Sequence, residues 1–469
     1  MPALYLSAAH KSSGKTTLSI GLCAAMAQRG LSVQPFKKGP DYIDPHWLRL
    51  AAGRPCFNLD FYTQTIDEIV DLYNHRAFDA DVSLIEGNKG LHDGLALDGS
   101  DSNAAMAKLL GAPVILVLDT RGATRGLAPL VQGYQAFDSS VNIGGVILNQ
   151  LGGSRHESKI RAAIEHYTDV PVIGAVQKDP TLEIRERHLG LVPGYEDKNA
   201  ARRLQILTQA IESQVDIERC LKLARKAPPV KLNVIIKPES LPEKKLRIGI
   251  AWDSAFGFYY QDDLLAFEEL GAQLVKIDLT RETELPEIDG LFIGGGFPET
   301  QLEALESNLS MRESIAKAIV GGLPTYAECG GLMYLARSIE WKDQKGKMVG
   351  IIPADCKMHL KPQGKGYIEL ETTDSAPWPG MAHSTESIKG HEFHYSELMN
   401  LDKNLDYAFK VKRGTGIANG FDGFIYKNLL ACYSHQRNVT RNPWVSRFID
   451  FVGQTVESKN QNTNKDEES

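Results

Sequence analysis

Ala9-His10-Lys11-Ser12-Ser13-Gly14-Lys15-Thr16-Thr17 follows a short apolar run, Leu4-Tyr5-Leu6-Ser7-Ala8, and precedes a helical pattern from Leu18 to Arg29. The order reads as a strand that turns through a phosphate-cradling loop into a helix. Backbone N–H groups from Ser12 to Thr17 and the helix N-terminus suit a polyphosphate such as ATP. Lys15 can reach the β- and γ-phosphates, and the Thr16 hydroxyl can bind Mg²⁺. The usual pattern carries glycine where this chain has Ala9, and a small residue still turns there if its φ is negative.

Outward from that loop, apolar runs recur at Val33–Phe36, Val82–Ile85, Val114–Leu118, Ile143–Leu148 and Val172–Val176, with amphipathic segments such as Ala104–Leu110 and His156–His166 between them. Buried strands separated by helices imply an α/β domain with a parallel sheet, whose ligands bind beyond the carboxyl ends of the strands. Residues 200–225 read as helical. Positions 226–245 carry four prolines and several lysines, the composition of an extended linker. A second alternation starts at Leu246–Ala251 and passes into strands and turns beyond Gly350. Val445–Val452 fits a closing helix, and residues 454–469 are expected to be a disordered tail. The organisation expected is therefore 1–225, a linker 226–245, and 246–453.

Composition narrows the classes of function. The chain has 469 residues, room for about three domain-sized units. A net charge of −7 leaves no electrostatic footprint for nucleic acid. No apolar run is long enough for a membrane span, and the start lacks a signal peptide's pattern. The six cysteines are scattered without a C-x-x-C pair, which favours reduced thiols in a cytoplasm over disulfides or zinc.

In the second half, Thr325-Tyr326-Ala327-Glu328-Cys329-Gly330-Gly331-Leu332 runs from an apolar strand through a cysteine and two glycines into a helix. Such a turn exposes a nucleophile at a helix N-terminus, whose dipole favours a thiolate. Upstream, Gly294-Gly295-Gly296-Phe297-Pro298-Glu299 can supply backbone donors to an oxyanion, with Gly330 beside them. The thiol needs a base: His435 at the end of a later strand is the leading candidate, with His391 and His394 competing.

These stretches, together with Phe36-Lys37-Lys38-Gly39-Pro40-Asp41-Tyr42-Ile43-Asp44-Pro45, Ile85-Glu86-Gly87-Asn88-Lys89-Gly90-Leu91-His92-Asp93-Gly94 and Gly390-His391-Glu392-Phe393-His394-Tyr395-Ser396, resemble the cobyrinate a,c-diamide synthase family from end to end except for the tail. The resemblance implies a P-loop domain of dethiobiotin-synthetase type fused to a class I glutamine amidotransferase-like domain. It implies glutamine hydrolysis at Cys329 with His435 as base, internal transfer of ammonia, and ATP-dependent phosphorylation of a tetrapyrrole acetate before amidation. It assigns Lys15 and Thr16 to ATP and Mg²⁺, and Asp41 and Tyr42 to a substrate-facing loop. Glu86 and Asp93 fall near the acyl-phosphate, Glu86 as a second metal-facing carboxylate. Lys37 and Lys38 would meet phosphate or substrate carboxylates. A homodimer is an assembly the resemblance allows.

Two departures stand out. Class I amidotransferases usually place Glu two residues after the His, where this chain has Arg437, so a dyad or a carboxylate from elsewhere is expected. Members commonly read Glu-Gly-Val-Met-Gly where this chain has Glu86-Gly87-Asn88-Lys89-Gly90. An added lysine there suits a substrate carboxylate and raises sirohaem or sirohydrochlorin as an alternative substrate. The other readings are a P-loop ATPase regulator with an inactive amidotransferase domain, and cobyrate synthase, whose members lack the His391–Ser396 wording.

Overall fold

The computed structural model describes residues 1–184, 186–187, 190–194, 196–197, 199–228, 246–382, 386–402 and 404–467. The chain divides into two compact units, Met1–Ile236 and Lys237–Ser469. Two rather than about three follows from the size of the sheets, since large α/β sheets take over 200 residues each. Of the expected linker, residues 229–245 lie outside the described residues.

The first unit runs β1 (Ala3–Ala8), α1 (Lys15–Gln28), β2 (Val33–Lys38), α2 (Ile43–Ala52), β3 (Phe57–Leu59), α3 (Ile66–Ala77), β4 (Val82–Glu86), α4 (Asn103–Leu109), β5 (Val114–Asp119), α5 (Leu127–Phe137), β6 (Ile143–Leu151), α6 (Ser154–Tyr167) and β7 (Val172–Gln177). A short pair, β8 (Glu186–Arg187) and β9 (Gly190–Leu191), then leads to α7 (Ala200–Gln214) and α8 (Ile217–Ala224). Seven strands form one parallel sheet in the order β3-β2-β4-β1-β5-β6-β7. Continuous burial along β1, β2 and β4 is what the near-unbroken apolar runs dictate for a sheet covered on both faces. Leu4 and Leu6 of β1 share a core with Leu18 and Leu22 of α1 and Leu207 and Ile211 of α7. Register then sets the site: Leu6 of β1 and Lys37 of β2 both pair with Glu86, the last residue of β4.

The second unit runs β10 (Arg247–Ala251), β11 (Phe256–Phe258), α9 (Gln261–Glu269), β12 (Gln273–Ile277), β13 (Gly290–Ile293), β14 (Gly295–Gly296), α10 (Leu302–Ser307), α11 (Leu309–Val320), β15 (Thr325–Glu328) and α12 (Gly330–Leu335). It continues through β16 (Ala336–Trp341), β17 (Gln344–Lys347), β18 (Ile352–Met358), β19 (Gly364–Thr372), β20 (Ile388–His394), β21 (Ser396–Met399), β22 (Asp406–Arg413), β23 (Phe421–Tyr426), β24 (Leu429–Cys432) and α13 (Trp444–Glu467). Nine strands order as β12-β10-β13-β15-β24-β23-β22-β19-β20, parallel as far as β24 and antiparallel beyond it. That is the expected α/β domain with a strand-rich addition, part of which is a separate sheet β17-β16-β18-β21.

Two boundaries differ from the sequence reading. The first helix begins at Lys15, not Leu18, because Gly14 takes φ 85° as its N-cap and places Lys15, Thr16 and Thr17 in the first turn. The tail expected to be disordered from 454 instead continues α13 to Glu467. Trp444, Val445, Phe448 and Val452 anchor the helix in the core. Once nucleated there, polar residues prolong it at little cost, although composition alone marks them as unfoldable.

Candidate active site

The loop between β1 and α1 is held from several sides. Ser12 has φ 64° and Gly14 φ 85°, while Ala9 takes no positive φ, so alanine costs nothing there. Ser13 Oγ donates to the His10 carbonyl at 2.8 Å, and Asn149 Nδ2, at the end of β6, donates to the Ser13 carbonyl at 2.9 Å. A Cβ on Gly14 would run into that Asn149 amide.

Under this loop four side chains converge. Thr16 Oγ1 donates to Glu86 Oε1 at 2.7 Å and to Asp44 Oδ2 at 3.1 Å. Lys37 Nζ donates to the same two oxygens, at 2.8 Å to Glu86 and 2.5 Å to Asp44, and lies 3.7 Å from Asp41 Oδ2. Burial alone would lower the Lys37 pKa, but Asp44, Glu86 and Asp41 outweigh it and hold the ammonium well above its usual range. Burial also raises Glu86, with Lys37 opposing. Lys15, buried and close to Lys37, is lowered, first by burial and then by that charge. Asp41 caps α2, Oδ1 accepting from Ile43 N–H at 2.9 Å and Asp44 N–H at 3.0 Å. Burial, followed by the Asp44 charge, raises the Asp41 carboxyl.

A hydroxyl and two carboxylates are hard oxygen donors of the kind Mg²⁺ takes together with substrate phosphates. Glu86 Oε2 is buried with no hydrogen-bond partner among the described residues, so the donor set has a free position. No group of three or more His, Cys, Asp or Glu gathers into a metal site among the described residues. Asp44 is the member the sequence reading left without a role, although it lies one helical turn beyond Asp41.

The remaining expected residues border this cluster. Asp93 Oδ2 accepts from Gly90 N–H at 2.8 Å, and a Cβ on Gly90 would meet the Ala9 carbonyl at 2.8 Å, so the loop carrying Asp93 packs on the phosphate loop. Lys89 is exposed with φ 42°. Asn103 ties the turn through Asn88 N–H at 3.0 Å and the Gly90 carbonyl at 2.6 Å. Tyr42 and Lys38 are buried, and burial lowers Lys38. Beside Gly14 and Thr17 lies a small cleft lined by Asn149, Gln150, Leu182 and Ile211.

In the second unit, Cys329 sits between β15 and α12 with φ 47° and ψ −99°. Cys329 N–H donates to the Cys432 carbonyl at 2.8 Å, which fixes the turn against β24. Cys329 is 6 % exposed. Burial, with Glu299 and Glu328 adding repulsion, pushes the thiol pKa up rather than down. The dipole of a six-residue α12 does not offset that, a direction opposite to the one expected from the helix N-terminus alone.

Strand register brings the partner in. Glu328 pairs with Cys432 across β15 and β24, and His435 follows three residues on. His435 Nδ1 lies 3.3 Å from Glu328 Oε2. Glu328 Oε1 accepts from Tyr326 OH at 2.6 Å and Gln436 N–H at 2.9 Å. The carboxylate absent after His435 is therefore supplied by the residue before the cysteine. Arg437 points elsewhere: fully buried, it bonds Asp262 Oδ2 at 2.8 Å and covers the Tyr260 ring at 4.8 Å.

The glycines make the close packing possible. A Cβ on Gly295 would meet His435 Cε1 at 2.6 Å, and one on Gly330 would meet Gly296 N at 2.8 Å. Gly296 and Gly330 thus bring their backbones together beside the thiol, while Gly295 makes room for the imidazole. His394 is remote in role: its Nδ1 lies 2.7 Å from the Ser396 carbonyl, and its ring stacks on Tyr433 at 3.9 Å.

Residues 8–192 match the model of the CobQ/CobB/MinD/ParA nucleotide binding domain, and residues 247–442 that of the CobB/CobQ-like glutamine amidotransferase domain. The cobyrinate a,c-diamide synthase of Magnetococcus marinus is 43% identical over 93% of this chain and 94% of its own. Those of Methanosarcina barkeri and Caldanaerobacter subterraneus are 40% and 39% identical, over 96% and 94% of this chain and 96% of each relative. With both domain models matched in order and similarity running through both, the chain belongs to the cobyrinate a,c-diamide synthase family and is a glutamine-hydrolysing amide ligase.

Proposed function

We propose that this enzyme converts the a and c acetate carboxylates of cobyrinate to amides, using ATP for activation and glutamine for nitrogen. What carries the reading is the presence in one chain of two separately built sites: the Lys15–Thr16–Lys37–Asp44–Glu86 cluster, and Cys329 with His435 and Glu328.

In the second site Cys329 gives its proton to His435, whose Nδ1–H is oriented by Glu328. The thiolate attacks the amide carbon of glutamine, and the oxyanion meets the N–H groups of Gly296 and Gly330. His435 returns the proton to the departing ammonia, and water then cleaves the thioester to glutamate. In the first site Lys15 and Lys37 neutralise charge on the transferring phosphoryl group. Thr16, Glu86 and Asp44 would hold Mg²⁺, which supplies Lewis-acid polarisation of phosphate oxygens when bound. Asp41, Tyr42, Lys38, Lys89 and Asp93 face the acid to be activated, Lys89 by pairing with a substrate carboxylate. Ammonia displaces phosphate from the activated acid and leaves an amide.

The test is mass spectrometry of the tetrapyrrole after incubation with enzyme, Mg·ATP and glutamine. Cobyrinate is expected to lose about one mass unit per amide formed, as OH becomes NH₂ at two positions. Faster turnover of sirohaem or sirohydrochlorin would reassign the substrate. Cys329→Ala is expected to lower glutamine-driven amidation at least ~10³-fold and to leave ammonia-driven amidation within about twofold. Loss of both would make Cys329 structural and end this reading.

A further inference from the structure

His391 and His435 are joined twice. Their backbones exchange hydrogen bonds, His435 N–H to the His391 carbonyl at 2.8 Å and His391 N–H to the His435 carbonyl at 3.2 Å. Their rings lie parallel, 4.9 Å between centroids and 13° between planes. The approach depends on Gly390, where a Cβ would collide with the His435 carbonyl oxygen. Beyond the pair, Tyr260 OH lies 3.2 Å from His391 Nδ1, and the Arg437 guanidinium, paired with Asp262, covers the Tyr260 ring. Both imidazoles are buried.

Two stacked, buried imidazoles cannot both carry charge without strong repulsion. The partners of the two rings differ. His435 has the Glu328 carboxylate at its Nδ1, whereas His391 has the Tyr260 hydroxyl there. Burial, then His435 and Arg437, drives the His391 pKa well below its usual value, so this ring stays neutral. A neutral ring stacked flat on the base restricts its rotation without competing for the proton.

We propose that His391 is a positioning residue for glutamine hydrolysis: its ring, stacked on His435 and pinned by the backbone pair and Tyr260, keeps the His435 imidazole turned to Glu328 and leaves His435 the sole proton carrier. This rests on the functional reading above.

The experiment measures glutamine hydrolysis against pH, with ammonia-driven amidation as the reference for an intact fold. His391→Ala is expected to lower kcat for glutamine by about 10–100-fold, with ammonia-driven amidation within about twofold of the parent enzyme. His391→Phe keeps a flat neutral ring; it should recover to within about threefold and keep the parent's acid limb in kcat/KM. Two results overturn the proposal: full glutamine hydrolysis in His391→Ala, or a His391→Phe enzyme as inactive as His435→Ala, which would make a ring nitrogen of His391 the base. Should the parent enzyme hydrolyse no glutamine while amidating with ammonia, the functional reading fails first and this role with it.

Discussion

Glu86 and Glu328 occupy corresponding places. Each is buried and is the last residue of a parallel strand, β4 and β15, beside the loop that carries its unit's chemistry. Their surroundings differ. Glu86 shares one oxygen between Thr16 and Lys37 and leaves the other unpartnered among the described residues. Glu328 has both oxygens engaged, one by Tyr326 and Gln436, the other facing His435. In the proposed function the first carboxylate sits where a ligand brings phosphate charge and completes the coordination. In that same proposal the second holds an imidazole still for an uncharged amide, and protein groups satisfy it in advance. A strand's carboxyl end can thus present the same residue as an open coordination point or as a closed clamp.

Replacing each carboxylate by its amide breaks or sharpens that contrast. Glu86→Gln carries the larger expected effect: ATP-dependent amidation falls about 10³-fold with glutamine or ammonia alike, and glutamine hydrolysis stays within a few-fold. Equal amidation in the variant would remove Glu86 from the phosphoryl site. Glu328→Gln is expected to lower glutamine hydrolysis about 10²-fold, since an amide can favour the wrong imidazole tautomer, and to spare ammonia-driven amidation. A variant that keeps glutamine hydrolysis would show His435 oriented without it. The smallest effect belongs outside both sites. Thr65 caps α3, accepting from Glu68 N–H while the Glu68 side chain reaches back to Thr65. Thr65→Ala should therefore cost about 1 kcal/mol in denaturant unfolding and leave both activities unchanged. A change in either activity would tie the sites to global stability.

Legibility in the sequence followed how local the cause was. The phosphate loop, the Cys-Gly-Gly turn and the alternation of strands and helices are set by residues within a few positions of one another, and all stand where the sequence puts them. Glu328 was in plain view but not assignable. Only the pairing of β15 with β24 brings it to a histidine 107 positions away, and familiar spacing directed attention to Arg437 instead. Asp44 was hidden for a similar reason, since Lys37 and Glu86 select it across the sheet. The thiol's raised pKa escaped because a helix N-terminus is local, whereas burial and the charge of Glu299 belong to the packed unit.

The backbone at Cys329 has a consequence for how this position can change. With φ 47° and ψ −99° it is a conformation that glycine adopts freely and a side-chain-bearing residue does not. A mutation to glycine there would relieve the chain while deleting its sulfur, so folding and chemistry pull in opposite directions at a single codon. In the proposed function, cysteine at this place trades backbone ease for its sulfur.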